Sequence, residues 1–581
     1  MAALRVPGEG IDTVIAGLFS LVLLALVAAA VVGVVNAVRQ PHPGHSGSTP
    51  AAAARRFVVF ALLFVLVVIA AIGVSGLLGR LLDLGNDLAG ADVSGLALSL
   101  TFALIGGASA ALLWWVLWRH LDTEEERSSI PWSLYVAGVA TVALITATMS
   151  LMSALAQLIG GRWEPQALAS AIIWAGVWVW HRAMAKNRVK SPTRLTDLAP
   201  VAGSTYGLLV GAGAAVATLQ TLFDAALETF GDRATIGDPW WVLALQSLIW
   251  AVGGAAVWWW HWVRDESRRL DTGAADAALV LVGIVAAAVL ALGGAGTVLY
   301  TVLRLGFDRV DPASQILEPL PLALSALAVG ALVWTFHRAV IAPRGDRVRE
   351  ASRLLVSGVG LVATATGIGI IVNSILDAST ATLAGAGGRG LLLGGLSALV
   401  VGAPVWWLTW QPLVKITEPE RVRATGRRVY LVAVFGASAV VALVTLLVIG
   451  YRVFELALGD LTGEGLVERV RAPFGLLVAT GLVAGYHYSV WRGDRSLLAA
   501  HPVAKTVGSV ILVTGSDPGP LTNAISDVTG AAVTVWLRAG TDLDGPSEDQ
   551  VAQALAGVSG RCVMVLTGAG GRIEVIPLQP A

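Results

Sequence analysis

Gly254-Ala-Ala-Val-Trp258-Trp-Trp-His261 decides how this chain is read. It returns as Gly330-Ala-Leu-Val-Trp334-Thr-Phe-His337 and as Gly402-Ala-Pro-Val-Trp406-Trp-Leu-Thr409. Looser copies stand at Trp114-Trp115-Val116-Leu117, Trp178-Val179-Trp180-His181 and Tyr486-His487-Tyr488-Ser489. Each copy ends a long apolar run and is followed by basic residues. Gly254, Trp258 and His261 fall at i, i+4 and i+7, so they share one helical face. A Gly one turn before a Trp lets a neighbouring backbone approach and leaves room for the ring. Tryptophan favours the membrane–water interface, because its ring is apolar and its N–H needs a polar partner. The motif therefore reads as the end of a helical hairpin, repeated six times: an interfacial aromatic belt with helix packing behind it. A ligand or haem site built from His181, His261 and His337 would need further ligands at fixed spacing, and the sequence offers none.

Composition agrees. Of 581 residues, 56% are hydrophobic and 13% charged, against about a quarter charged in soluble domains. The mean hydropathy of +0.75 and the many long apolar runs define a polytopic membrane protein. The formal net charge of zero gives no bulk attraction to nucleic acid, and no nucleic-acid partner is expected. Cys562 is the single cysteine, so neither an internal disulfide nor a structural zinc site is available.

A leading apolar run at residues 11–38 reads as an uncleaved helix, since its basic residues Arg39, Arg55 and Arg56 follow it. Residues 41–54 are a Pro-, Gly-, Ser- and Ala-rich linker. Six hairpins follow, with helices at 57–82 and 96–120, 132–159 and 165–185, 200–230 and 240–263, 274–307 and 315–340, 351–378 and 390–410, and 428–458 and 474–491. The organisation is thus an N-terminal helix and linker (1–54), hairpin units 55–125, 126–195, 196–270, 271–348, 349–420 and 421–500, and a C-terminal domain (501–581). This gives an all-α polytopic membrane protein of about 13 transmembrane helices with a small α/β domain. Copies recur every 64 to 80 residues. An even number of spans per unit makes them parallel repeats about an axis along the membrane normal.

Loops after the copies are basic, such as Arg182, Lys186, Arg188, Lys190 and Arg194, whereas loops within hairpins lean acidic, such as Asp83, Asp87 and Asp92. Basic loops stay in the cytosol. The expected location is the inner (plasma) membrane of a bacterial cell, with the N-terminus outside and the C-terminus cytosolic. Beyond residue 500 the order reads β-α-β-α-β-β. The loop Thr514–Gly519 lies between strand and helix, where an anion is accommodated elsewhere, but it has no P-loop lysine.

Near the far end of each first helix sit polar residues four apart: Gly76 and Arg80, Ser153 and Gln157, Gln220 and Asp224, Tyr300 and Arg304, Asn373 and Asp377, Tyr451 and Glu455. If these faces turn inward they form a polar vestibule of mixed sign, with Asp224, Asp377 and Glu455 set against Arg80 and Arg304. The alternative is that helix ends become polar as they leave lipid. No Gly-x-Ser-x-Gly, His-Glu-x-x-His, Cys pair or Walker lysine occurs, and no cofactor is expected. Asp122-Thr-Glu-Glu-Glu126 reads as a solvated acidic face.

The copy Gly402-Ala-Pro-Val-Trp406-Trp407-Leu408-Thr409-Trp410 resembles the signature of a bacterial membrane family known as domain of unknown function 5671. The likeness extends over roughly residues 55 to 492. The family's pattern carries His where Thr409 stands, and His261 and His337 keep it. The resemblance implies repeated transmembrane hairpins and supplies neither catalytic residues nor a substrate. The expectation is a non-enzymatic membrane scaffold, sensor or partner subunit. It would act in the lipid bilayer with a membrane or cytosolic protein partner held through the C-terminal domain. The rival is a transporter or channel using the vestibule.

Overall fold

The computed structural model describes residues 50–84, 93–228, 238–308, 310–380, 387–415, 422, 425–459, 465–500, 507–538 and 545–578. The leading helix expected at residues 11–38 lies outside them. Twelve long helices follow in order: α1 (Pro50–Leu82), α2 (Val93–His120), α3 (Ile130–Ile159), α4 (Pro165–Ala185), α5 (Leu198–Glu228) and α6 (Trp240–Arg264). Then come α7 (Gly273–Phe307), α8 (Leu320–Ile341), α9 (Asp346–Thr380), α10 (Gly387–Val414), α11 (Thr425–Ala457) and α12 (Leu466–Ala500).

Ten of the described helices are long and apolar enough to cross a membrane, fewer than the sequence reading counted. α4 falls short because Trp174, Trp178, Trp180, His181 and Arg182 crowd its second half. α12 falls short because Glu468, Arg469 and Arg471 open it and Arg492, Asp494 and Arg495 follow its apolar stretch. The linker is also shorter than expected, since α1 already begins at Pro50.

Among the described residues, three stretches of wider, π-type helix interrupt the rods: Phe102–Gly106 in α2, Trp260–Arg264 in α6 and Leu279–Ala286 in α7. Such turns are rare and frequently mark functional sites.

The chain forms two units. The first takes Ser48–Thr409 and Thr445–Ala479, the second Trp410–Val444 and Thr480–Ala581. In the first, each leading helix packs against the second helix of its own hairpin: α3 on α4, α5 on α6, α7 on α8. It also packs against the second helix of the next hairpin. α1 meets α4, α3 meets α6, and α5 meets α8. The same step continues where Ser397 of α10 donates to the Gly296 carbonyl of α7, and where Gly369 of α9 faces Gly475 of α12. Burial from water does not drive such contacts within lipid, so close packing of small residues must.

α1 and α3 enclose the largest aromatic cluster of this unit, with Phe60, Leu63, Trp132 and Tyr135 almost fully buried. In the second unit, Tyr430 and Trp410 enclose His487. There Arg427 of α11 grips Asp494 of α12 through two hydrogen bonds of 2.8 Å.

The C-terminal domain has the expected order: β1 (Val507–Thr514), α13 (Pro518–Thr529), β2 (Ala532–Leu537), α14 (Glu548–Leu555), β3 (Gly560–Gly568) and β4 (Arg572–Leu578). The sheet runs β2-β1-β3-β4, with β4 antiparallel to β3 and the other pairs parallel. Val510, Leu512, Val563 and Val565 bury one sheet face under Leu521 and Ile525 of α13 and Val551 and Leu555 of α14. Each such side chain contributes about 1.5–3 kcal/mol on leaving water. A capping box between Ser547 and Gln550 starts α14, and Gly530 in a left-handed conformation stops α13.

Candidate functional site

The recurring motif packs the two helices of each hairpin through its glycines and reaches the neighbouring hairpin through its rings and charges. Its glycines sit against backbone. A Cβ on Gly254 would stand 2.6 Å from Gly211 Cα, one on Gly330 2.5 Å from Ala291 N, and one on Gly402 2.7 Å from Ala363 Cβ. The facing stripe in hairpin three is Gly203, Gly207 and Gly211, spaced by four. It lies under His261, Trp258 and Gly254 in turn. The spacing was legible as a small-residue packing motif, but only the structure pairs it with the copy in α6.

The histidines are buried packing elements. His181, His261, His337 and His487 are all under 4% exposed. The Nδ1 atoms of three of them lie 2.8–2.9 Å from the carbonyl one turn back, at Val177, Val333 and Val483. Thr409 satisfies the same position by donating its hydroxyl to Val405 O at 2.7 Å. This explains physically why Thr replaces His there. His261 departs from the pattern: its Nδ1 lies 2.9 Å from Asp265 Oδ2.

Trp and His link consecutive hairpins. Trp178 stands edge-on to His261 and Trp258 edge-on to His337, each with ring centroids 6.5 Å apart. Trp334 packs in the next apolar cluster beside Val348 and Val405, and Trp406 crosses Gly360.

Between hairpins two and three the joint is ionic. Arg182 forks onto both oxygens of Asp265, with Nη1 to Oδ2 at 2.7 Å, and lies 5.5 Å over the rings of Trp178 and Trp260. Burial alone would raise the Asp265 carboxyl, but the close His261 ring and the hydrogen bonds from Arg182 outweigh it. They hold the carboxyl well below the ordinary carboxylate range. Asp265 was missed in the sequence, although it stands four residues after His261 on the same face.

The acidic run at Asp122–Glu126 is also partly spent on such links. Arg56 Nε donates to Glu126 at 2.7 Å, and Lys190 lies 3.2 Å from Asp122.

At the opposite ends of the first helices, the expected polar residues have local partners. Arg304 pairs with Asp308 and Asp311 of its own hairpin tip. The Arg304 hydrogen bond leads the causes that hold the Asp308 carboxyl below its usual range. Asp377 pairs with Arg471 of α12. Glu455 accepts from Tyr451 at 3.2 Å and Arg452 at 2.9 Å, with Arg469 3.7 Å away. Gln157 accepts from Arg162 at 2.8 Å, and Gln220 bonds Asp224. Tyr300 lies against Gly390 and Gly394 of α10. Asn373 Oδ1 is buried without a hydrogen-bond partner among the described residues. Arg80 ends α1, where the neighbouring Gly79 meets Gln166 of α4. Arg304 thus reaches its own tip and Asp377 the next hairpin.

No group of three or more metal-capable side chains occurs among the described residues. In the C-terminal domain the loop before α13 is closed on itself. Asp517 accepts from Gly519 N at 3.0 Å and Thr514 bonds Ser516 at 3.0 Å, so a carboxylate already occupies the helix start.

Helical hairpins that carry a recurring Gly–Trp–His motif, with ten of the described helices long and apolar enough to cross a membrane, define an apolar, mostly helical protein of membrane-protein character. The chain belongs to the family described as Domain of unknown function (DUF5671), whose pattern matches residues 56–180, 197–320 and 350–482. The first and third matches each span about two hairpins and the second spans three long helices, so the family unit is larger than a single hairpin. No curated protein and no solved structure matches the chain.

Proposed function

We propose that this chain is a multi-pass protein of the plasma membrane, without enzymatic activity of its own, acting as a scaffold, sensor or partner subunit. The basic loops and Trp–His ends face the cytosol, the N-terminus lies outside and the α/β domain is cytosolic. One observation supports the reading: the side chains that recur are used to pack helices within and between hairpins. The histidines are buried against neighbouring helices, and Asp265, Asp377 and Glu455 are engaged by arginines. A transport path needs polar groups left available to solute at depth.

The α/β domain is the part offered to a partner. Its exposed strand β2 carries Val535, Trp536 and Leu537, each at least 38% exposed. The test compares full-length protein with a chain lacking residues 503–581. Loss of a co-purifying polypeptide on deletion, together with no solute flux in proteoliposomes, is expected. Flux of a polar solute that Asp377→Asn or Arg304→Gln abolishes would replace this reading with the transporter.

A further inference from the structure

The joint between hairpins three and four differs from the one before it in a single chemical respect. One residue after the histidine of the earlier copy, Arg182 becomes Trp262; four residues after the histidine of the later copy, Asp265 becomes Ile341. The ion pair is thereby replaced by an apolar contact, with Trp262 and Ile341 in one buried cluster. His337 has no carboxylate to address and turns Nδ1 to Val333 O at 2.8 Å. A carbonyl only accepts, so Nδ1 carries the proton and Nε2 of the neutral ring is left as an acceptor.

A half-open cavity of about 20 Å³ lies beside this ring, lined by Ser204, Trp258, Trp262, Ser267, Gly283 and His337 among others. Two of the three wider helical turns bound it, contributing Trp262 on one side and Gly283 on the other. Ser267 and His337 are 4% and 2% exposed. Trp258 Nε1 and Ser267 Oγ are buried with no hydrogen-bond partner among the described residues. Leaving such groups unsatisfied is costly.

We infer that this cavity is a binding site for one water molecule that bridges Trp258 Nε1, Ser267 Oγ and His337 Nε2 and so joins hairpins three and four. Size and chemistry agree on the occupant. A water needs about 10–15 Å³ of such space and two to four polar partners. The indole N–H only donates, the imidazole Nε2 accepts and the hydroxyl does both, so the guest must both donate and accept. An anion would meet the His337 lone pair with no Lys or Arg among the lining residues. The site does not depend on whether the chain carries a partner or a solute.

A structure of the full chain in lipid nanodiscs, at a resolution that shows ordered water, tests the site. One compact density about 3 Å from His337 Nε2 and Ser267 Oγ is expected. A dry cavity in a map with ordered waters elsewhere, or density running on into a lipid, overturns the assignment. Melting temperatures of Ser267→Ala, Trp258→Phe and the double variant give a second readout. Loss of a shared guest makes the double shift smaller than the sum of the single shifts. Additive shifts overturn the bridge.

Discussion

Trp258 stands edge-on to His337 with 6.5 Å between ring centroids, and Trp178 holds the same relation to His261 one hairpin earlier. The tryptophan of one copy thus meets the histidine of the next. Edge-to-face rings at this distance attract by about 0.5–1.5 kcal/mol beyond the area they bury. The contact recurs at two successive joints, hairpin two to three and three to four.

Within each hairpin the motif also needs close helix approach. A Cβ on Gly203 would stand 2.5 Å from His261 Cδ2, and one on Gly283 2.7 Å from His337 Cδ2. Gly203→Ala and Gly283→Ala are each expected to destabilise by about 1–3 kcal/mol through overpacking. Gly213→Ala, with nothing within 4 Å of its Cβ, should be neutral or slightly stabilising. Thermal unfolding in a fixed detergent checks all three. Equal melting temperatures across the set would remove the packing argument.

Acid should loosen the joint between hairpins two and three. The Asp265 carboxyl is held below its ordinary range in the folded chain. A depressed carboxylate contributes stability in full above its unfolded value, about 3.9, and loses it as pH falls through the folded value. Wild type should therefore lose stability progressively below about pH 4–5. Asp265→Asn, already lacking the charge, should be less stable near neutrality and fall less steeply. Melting curves from neutral to acid pH read both effects, and parallel curves would contradict the linkage.

At the opposite ends, Asp377→Asn breaks the pair with Arg471, whose side chain is 22% exposed like that of Asp377. A hydrogen bond to a charged group is worth about 1.5–3 kcal/mol, discounted here for solvent screening to about 1 kcal/mol. Arg304→Gln should cost a similar amount through Asp308 and Asp311. Both changes are expected to lower melting temperature without creating or removing solute flux.

The α/β domain has a core separate from the helices. Leu512 is fully buried within it, and Leu512→Ala should cost about 2–5 kcal/mol there. Amide hydrogen exchange should rise across β1 and β3 and stay unchanged in α5 and α6. Faster exchange in those helices as well would mean that the two parts unfold together.

Much of this architecture was legible in the residues. The helices at Trp240–Arg264 and Glu548–Leu555, and the β-α-β-α-β-β order, follow from apolar periodicity and capping, which are local properties. The Gly254–Trp258–His261 face was legible too, since spacing alone puts these residues on one side of a helix. The partners of that face were not. Gly211 lies 43 positions before Gly254 and Arg182 lies 83 before Asp265, separations that carry no periodic signal.

The polar residues at the helix ends show the same division. Their recurrence at Gln220, Arg304, Asp377 and Glu455 is a fact of sequence, and a ring of mixed sign was one arrangement it allowed. Arg304 finds Asp308 and Asp311 on its own hairpin tip, whereas Asp377 meets Arg471 through the packing of its helix on the following hairpin. The sequence by itself determined the apolar helical class, the recurring motif and the succession of elements in the small domain, because each is written in short-range pattern. Only the tertiary structure decided which neighbour each motif meets, because glycine notches, ring contacts and ion pairs acquire partners only when helices distant in sequence pack side by side.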